Sequence, residues 1–462
     1  MSLRDRIHED DAEAPLGSAI LTSGGPAADA GPVRIPVERY TSPAFFTREL
    51  SMLWPRVWVI ACSVDHVAER GDFCAVRFGP YSVVVVRGND GELRAFQNVC
   101  RHRGNTLCQG SGSGLTELRC GFHRWAWTLD GRLREVPSRK GFGALRNDDF
   151  PLFPVRVDTF GRLVFVNLDT SRSGPSLSEW LEGVPDDIAW AKLDEFRCLY
   201  TTRTVVPCNW KVVADGFSET YHVQGLHREM LASMDDVDAP QKIWGRQGAS
   251  YQDYAVPSPR LGRRIDDQTI WDSFVQTQGS RMGPEYSEAT VDQRGGSIPM
   301  PTLASGETVQ DLVAGKIREH WGSRGVDLSG YSVRELLRMS QYNLFPNSTF
   351  LVNADLYSVL SARPGPSVDE AEFVMFYFER AASPVAARSR PVDVTVPMDQ
   401  AQFGFVISAD VRVMPGLQLG LRQPALSEIL LSREECRIIN MHRHLERFLG
   451  LEPGGRLAAS ST

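Results

Sequence analysis

Hydrophobic residues recur along this chain in two rhythms, and the change from one to the other marks its organisation. Across residues 43–58, Phe45, Phe46, Leu50, Leu53, Trp54 and Val57 fall mostly at three- and four-residue intervals, which predicts a helix with one buried face. The rhythm then shortens. Residues 73–78, 81–87, 93–98, 118–120 and 162–168 are brief β-branched or aromatic runs, punctuated by Gly88, by Asn89-Asp90-Gly91 and by Asp130-Gly131. That spacing predicts antiparallel strands joined by hairpin turns. Residues 170–185, opening Thr-Ser-Arg-Ser-Gly-Pro-Ser, carry turn chemistry and read as a domain boundary. Beyond them the two rhythms mix: 200–206, 349–354, 357–362 and 373–379 read as strands, and 209–227, 309–321, 333–339 and 428–449 as helices. Residues 255–305 are rich in Pro, Gly and Ser and are expected to be loops. The expected organisation is a partly disordered lead over 1–40, an all-β domain over 41–170, and a second, α+β domain over 186–455.

Composition narrows the class. The 462 residues exceed what one small core needs. The 42% hydrophobic and 23% charged content excludes a wholly disordered chain. The net charge of −7, with no clustering of Lys and Arg, argues against a nucleic-acid partner. No apolar run approaches the roughly 18–20 residues of a membrane span, and the first residues lack the basic-then-apolar order of a secretory signal. Eight cysteines are too few for a disulfide scaffold, so a cytoplasmic protein with reduced thiols is expected.

Two of those cysteines belong to a first chemical constellation. Cys100-Arg-His102 and Cys120-Gly-Phe-His123 lie inside the β domain, with seventeen residues between His102 and Cys120. Two loops bearing one Cys and one His each can close around a metal. Structural zinc sites use the same donors but usually pair Cys with Cys and His with His. Mixed pairs suit a cluster in which two thiolates hold one iron and two imidazoles the other, the Rieske [2Fe–2S] arrangement.

The flanking residues carry a resemblance. Cys100-Arg-His-Arg-Gly104, Cys120-Gly-Phe-His-Arg-Trp125 and Leu129-Asp-Gly-Arg-Leu133 closely resemble the Rieske domain of ring-hydroxylating oxygenases. Respiratory Rieske proteins carry an extra disulfide where this chain has Asn105 and Phe122, so the likeness is to the oxygenase branch. One position departs from the pattern: the family usually has Gly where this chain has Arg124. A cation beside the cluster favours its reduced, more negative state, which predicts a raised potential.

A second constellation follows Asn209-Trp-Lys211, in Asp215-Gly-Phe-Ser-Glu219-Thr-Tyr-His222-Val-Gln-Gly-Leu-His227. His222 and His227 are five apart, which on a regular helix separates them by about 140°. Both reach one ion only if the helix is broken between them, and Gly225 is placed to permit that. Two histidines completed by a carboxylate form the facial triad of non-haem Fe(II) oxygenases. The stretch strongly resembles the catalytic domain of the same oxygenases, in which the third ligand comes from a late helix. The segment from Asp410 to Gln418 and Gly-Leu421 looks like that helix, so Asp410 is the expected ligand, with Asp393, Asp399 and Glu379 as alternatives. The resemblance also implies that a carboxylate three residues before the first histidine, here Glu219, links the metal site to a cluster histidine of the neighbouring subunit, here His123. Asp215 is the alternative bridge.

What the resemblance implies for the whole is a Rieske domain plus a helix-grip domain, an antiparallel sheet wrapped around a long helix. The implied cofactors are a [2Fe–2S] cluster and one mononuclear Fe(II). No Gly-x-Gly-x-x-Gly follows a strand, so electrons are expected from separate proteins, and the resemblance implies an NAD(P)H-dependent reductase, with or without a ferredoxin. The family's trimeric ring implies a homotrimer, or an α3β3 assembly with a small β subunit. Apolar residues of the late strands (Phe345, Phe350, Leu351, Tyr357, Leu360, Met375, Phe376, Phe378), with Met230, Leu231 and Met234, are expected to wall a cavity for an aromatic or other hydrophobic substrate. The outcome is mono- or dihydroxylation. Demethylation of a quaternary amine or steroid is the alternative, and a plain iron–sulfur carrier a further one.

Overall fold

The computed structural model describes residues 32–171, 174–293, 297–383 and 390–455. Its first domain is built on a seven-stranded antiparallel sheet. In spatial order the strands are Val59–Ser63, Leu163–Asn167, Pro154–Phe160, Leu93–Gln97, Tyr81–Arg87, Phe73–Phe78 and Ser111–Gly112. A small sheet of Leu118–Arg119, Ala126–Trp127 and Leu133–Glu135 sits beside it. The strand Tyr81–Arg87 shows why no polar alternation was visible in its sequence. Side chains on a strand alternate between faces, and here both faces are covered. Val83 and Val85 enter the large core shared with the rest of the chain, while Val84 and Val86 pack with Phe96, Trp125, Trp127 and Leu133 under the two Cys/His loops.

The second domain is a nine-stranded sheet running Met234–Asp235, Gln247–Tyr254, Arg338–Leu344, Ser348–Val352, Leu356–Pro364, Ala371–Arg380, Phe196–Val206 and Val392–Thr395, with Gln241–Trp244 paired to Gln247–Tyr254. All pairings are antiparallel except the last on the main path, where Tyr200–Arg203 runs parallel to Val392–Thr395. The helices Trp210–Gly216, Phe405–Leu421 and Cys436–Leu449 pack on this sheet, so it grips the segments that carry the candidate ligands.

Several expectations are corrected. Of the lead over 1–40, residues 1–31 lie outside the described residues, but the rest is ordered. Val33–Pro36 pairs antiparallel with Glu428–Leu431, and Arg39 and Tyr40 are buried. The helix Pro43–Met52 follows and packs against Cys436–Leu449. Residues 33–52 therefore contact both domains, since the Tyr81 hydroxyl of the β domain also donates to the Leu50 carbonyl at 2.6 Å. The tail helix starts at Cys436, because 428–431 are taken by that strand pairing. His442 and His444 on that helix are both buried. The helix expected over 333–339 stops at Leu337 and becomes a strand at Arg338. Within 255–305, a helix forms over Asp267–Gln278, capped by Asp266, whose carboxylate accepts the Thr269 N–H at 2.9 Å. Ile270, Trp271, Phe274 and Val275 give it one buried face. No helix among the described residues is long and apolar enough to cross a membrane.

Candidate metal centres

Cys100, His102, Cys120 and His123 come together on two loops of the same construction. Gly104 N donates to Cys100 O at 3.0 Å and Arg124 N to Cys120 O at 3.1 Å, so each loop closes in one tight turn. Both closing residues have left-handed backbone, Gly104 at φ 77° and Arg124 at φ 65°. Glycine takes that conformation freely; an L side chain does so at a cost of roughly 1–2 kcal/mol. The usual glycine at position 124 therefore has a backbone reason, and Arg124 departs from it under strain.

The two imidazoles lie with centroids 4.6 Å apart at 73°, and His102 stacks on Trp125 at 5.2 Å and 5°. His102 Nδ1 is buried with no hydrogen-bond partner among the described residues. A buried, unpaired ring nitrogen is costly unless something binds it. Cys100 and Cys120 are 3% and 1% exposed. Burial opposes ionisation of both, yet the backbone N–H groups of His123 and Phe122 bring the Cys120 thiol below its ordinary value. Burial still holds Cys100 above its own, against the N–H groups of His102 and Arg103. N–H groups aimed at sulfur and an orphaned imidazole nitrogen fit a cluster held by two thiolates and two histidines.

The second centre depends on how Asn209–His227 folds. Asn209 caps the helix Trp210–Gly216 through Oδ1, which accepts the Lys211 N–H at 3.1 Å. The next two residues fix that helix. Lys211 Nζ donates to Glu49 Oε1 at 2.7 Å, both side chains fully buried, and Trp210 Nε1 donates to Glu49 Oε2 at 3.1 Å. The helix ends at Gly216, and the Phe217 carbonyl then accepts from Gln341 Nε2 (2.9 Å), Asn343 Nδ2 (2.9 Å) and Thr349 Oγ1 (3.1 Å). Those three donors pin the break. Chain direction changes over 217–222, and a single turn follows at Val223–Leu226, with His222 and His227 at its two ends. The break expected at Gly225 is therefore earlier, and Gly225 lies within the turn.

Across this turn His227 Nε2 lies 2.6 Å from Asp410 Oδ1, and His222 Nε2 lies 3.5 Å from the same oxygen. One donor atom from each of His222, His227 and Asp410 lies within 4.8 Å of the others, the one such group among the described residues. His227 Nδ1 is buried without a hydrogen-bond partner among them. Glu219 orients the other histidine: Oε1 lies 2.6 Å from His222 Nδ1 and Oε2 accepts the His222 N–H at 2.9 Å. His222 Nε2 is thereby turned toward Asp410. Two imidazole nitrogens and a carboxylate on one side of a common space fit a ferrous ion with open positions. Asp410 is presented by the helix Phe405–Leu421. Gln418, eight residues on, accepts the Asn209 N–H at 3.0 Å and donates to the Tyr40 carbonyl at 3.2 Å. The Asn209 and Gln418 motifs thus tie the two ligand-bearing segments together.

The remaining candidates are placed elsewhere. Asp215 is bonded by the Tyr40 hydroxyl at 2.6 Å and lies 3.6 Å from His442 Nε2. Asp393 is held by His66, Arg203 and Ser111, and Glu379 by Arg324. Asp399 is exposed.

A cavity of about 180 Å³ opens beside His222, His227 and Asp410. Of the expected wall residues only Met230, Met234 and Leu351 line it. Phe350, Tyr357, Phe376 and Phe378 are core, on the other side of the alternation or too deep. The walls that sequence reading missed are Phe217, Tyr254, Met339, Phe403 and Phe405. Phe217 was within reach, because it stands between the two motif halves.

Comparison with known proteins identifies both domains. The family model "Ring hydroxylating alpha subunit (catalytic domain)" matches residues 193–451, and "Rieske [2Fe-2S] domain" matches 57–156. The oxygenase subunit of glycine betaine monooxygenase from Chromohalobacter salexigens is 30% identical over 290 residues, 57% of this chain and 63% of that protein. The alpha subunit of biphenyl 2,3-dioxygenase from Rhodococcus jostii is 31% identical over 320 residues, 62% of this chain and 65% of that protein. Each match thus spans less than two thirds of the curated relative. Among solved structures, the quaternary ammonium Rieske monooxygenase CntA in complex with L-carnitine shares the fold. Its TM-score is 0.64 at 16% identity, covering 91% of this chain and 97% of that one. A catalytic-domain match across more than half of the chain, preceded by a Rieske match, shows that this chain belongs to the family of ring-hydroxylating oxygenase alpha subunits.

Proposed function

We propose that the chain is the oxygenase component of a Rieske non-haem iron system that inserts one or both atoms of O₂ into an aromatic or other hydrophobic substrate. In this reading Cys100, His102, Cys120 and His123 hold a [2Fe–2S] cluster, and His222, His227 and Asp410 hold Fe(II). The observation that carries it is the convergence of His222, His227 and Asp410 beside a mostly apolar cavity, in a chain that also brings two Cys/His loops together. When bound, the cluster supplies single electrons and the ferrous ion supplies open positions for O₂.

The chain's own groups prepare that chemistry. Glu219 holds His222 Nδ1, fixing which ring nitrogen faces the metal position. Apolar walls keep water from the reacting carbon. Glu219 also serves as the bridge toward His123 of a neighbouring copy. Asp215 serves less well, since it is turned to Tyr40 and His442 rather than to His222. Charge supports such docking: Arg101, Arg103 and Arg124 flank the cluster loops, whereas Glu219, Asp215 and Glu435 lie close enough for the first two to hold the Glu435 carboxyl up, after burial. A trimer supplied by a separate reductase, with or without a ferredoxin, follows from this reading, and the six cysteines outside the cluster, none in a disulfide, suit a cytoplasmic setting. A second reading, oxidation of a quaternary amine, draws on the relatives' activities and on the aromatic residues of the cavity.

Iron and acid-labile sulfide analysis tests the assignment. The wild type should carry about three irons and two sulfides per chain. Asp410→Ala should lose about one iron and no sulfide, and equal loss of iron and sulfide would contradict it.

A further inference from the structure

The cavity's chemistry is one-sided in charge. Apart from the histidines, its only acidic or basic side chains among the described residues are Glu219 and Asp410, and no Lys or Arg lines it. The buried guanidinium of Arg437 stands behind Gln341, bonded to that side chain's Oε1 at 2.7 Å and to Asn343 Oδ1 at 2.6 Å, and does not reach the wall. Bound Fe(II) would offset the charges of these two carboxylates, which leaves no cationic side chain on the wall to pair with a further carboxylate entering this space and being desolvated there.

One polar group on the wall is unspent. Tyr254 is 1% exposed, and the one acceptor its hydroxyl meets among the described residues is Met339 Sδ, at 3.9 Å. Thioether sulfur is a weak acceptor, and buried hydroxyls normally find a strong one. Burial pushes this phenol well above its ordinary value, so it remains a neutral donor across the working pH range. Met339 also lines the cavity, which places the hydroxyl at its edge. The rest of the wall near it (Met230, Met234, Phe217) is apolar and adaptable.

We propose that the cavity takes a compact, uncharged, mainly apolar molecule that presents one hydrogen-bond acceptor to Tyr254, and that it discriminates against carboxylates, zwitterionic betaines included. This rests on the oxygenase reading above and narrows its substrate class. Four probes separate the parts of the claim: acetophenone, its near-isosteres ethylbenzene and benzoate, and glycine betaine. Titration calorimetry on the full-length, iron-replete protein gives the order, and the ferrous–nitrosyl EPR signal of the same sample reports the iron independently. Acetophenone should bind about tenfold more tightly than ethylbenzene. Benzoate and glycine betaine should bind at least about a hundredfold more weakly than acetophenone. Tyr254→Phe should erase the preference for acetophenone over ethylbenzene while leaving ethylbenzene binding unchanged. Benzoate or glycine betaine binding as well as acetophenone overturns the charge argument. Equal binding of acetophenone and ethylbenzene to the wild type, or an unchanged preference in Tyr254→Phe, overturns the role of Tyr254. Loss of the nitrosyl signal would instead refute the oxygenase reading, and the calorimetric order would still decide the cavity's preference.

Discussion

The Lys211–Glu49 pair offers a quantitative test of how the metal-bearing segment is held. Nζ and Oε1 are 2.7 Å apart and both side chains are fully buried. Burial alone pushes the Glu49 carboxyl up and the Lys211 amine down, so each depends on the other to stay ionised. Lys211→Met strands a buried carboxylate, and Glu49→Gln strands a buried ammonium; each should destabilise by about 3–5 kcal/mol. Aromatic rings at 4.9 Å (Trp210) and 5.6 Å (Phe45) surround the ammonium, so methionine finds apolar contacts in its place. The double variant Lys211→Met/Glu49→Leu should therefore return to within about 1–2 kcal/mol of wild type. For a domain of this size, the single substitutions correspond to a fall in Tm of about 6–20 °C. Urea unfolding followed by tryptophan fluorescence gives the coupling energy directly. A Lys211→Met cost below about 1 kcal/mol, or a double variant as unstable as the sum of its singles, would refute the reasoning.

Other consequences follow from the same geometry. Glu219→Gln should keep its iron yet slow reoxidation of the pre-reduced cluster by about 10–100-fold in single-turnover stopped flow. Asp215→Asn should leave that rate near wild type and lower Tm instead. Arg124→Gly should stabilise the protein by about 0.5–1 kcal/mol, the left-handed strain outweighing glycine's entropy. It should also shift the cluster potential negative in a redox titration, and no shift would remove the electrostatic argument for Arg124. His444 is held down to about 4, chiefly by burial and then by Arg447, against an ordinary value of 6.5. Its folded pKa is depressed, so the unfolded chain binds the proton first as pH falls. Stability is full above about 6.5 and is lost progressively toward about 4. His444→Gln should flatten the Tm-versus-pH curve over that window.

Much of the site was legible because its chemistry demands rare residues at fixed spacing. The two Cys/His pairs and the two histidines after Asn-Trp-Lys stand out in one chain, and the Asp410–Gln418 pattern identified its helix before the cavity was known. The motifs carry structural duties as well: Asn209 caps, Lys211 neutralises Glu49, and Gln418 ties the two ligand segments. What could not be read locally was set by partners distant in sequence. Ile35 and Ile429 pair in a two-stranded sheet of their own, so the lead and the start of the tail became strands. The helix break moved from Gly225 to Phe217 because Gln341, Asn343 and Thr349 converge on one carbonyl. The apolar runs of the late strands could not disclose which face was cavity, since both faces are buried and a period of two gives no sign. The helix Asp267–Gln278 had an Asp cap and a four-residue apolar face, but the Pro- and Gly-rich surroundings masked it.

The central claim is that one chain holds a Rieske cluster and a separate ferrous site open to small ligands. EPR on anaerobic, dithionite-reduced protein exposed to nitric oxide addresses both at once. The account predicts a rhombic Rieske signal together with a high-spin ferrous–nitrosyl signal, the latter abolished in Asp410→Ala with the former intact. A Rieske signal without any nitrosyl species in iron-replete protein would contradict it and leave an electron carrier.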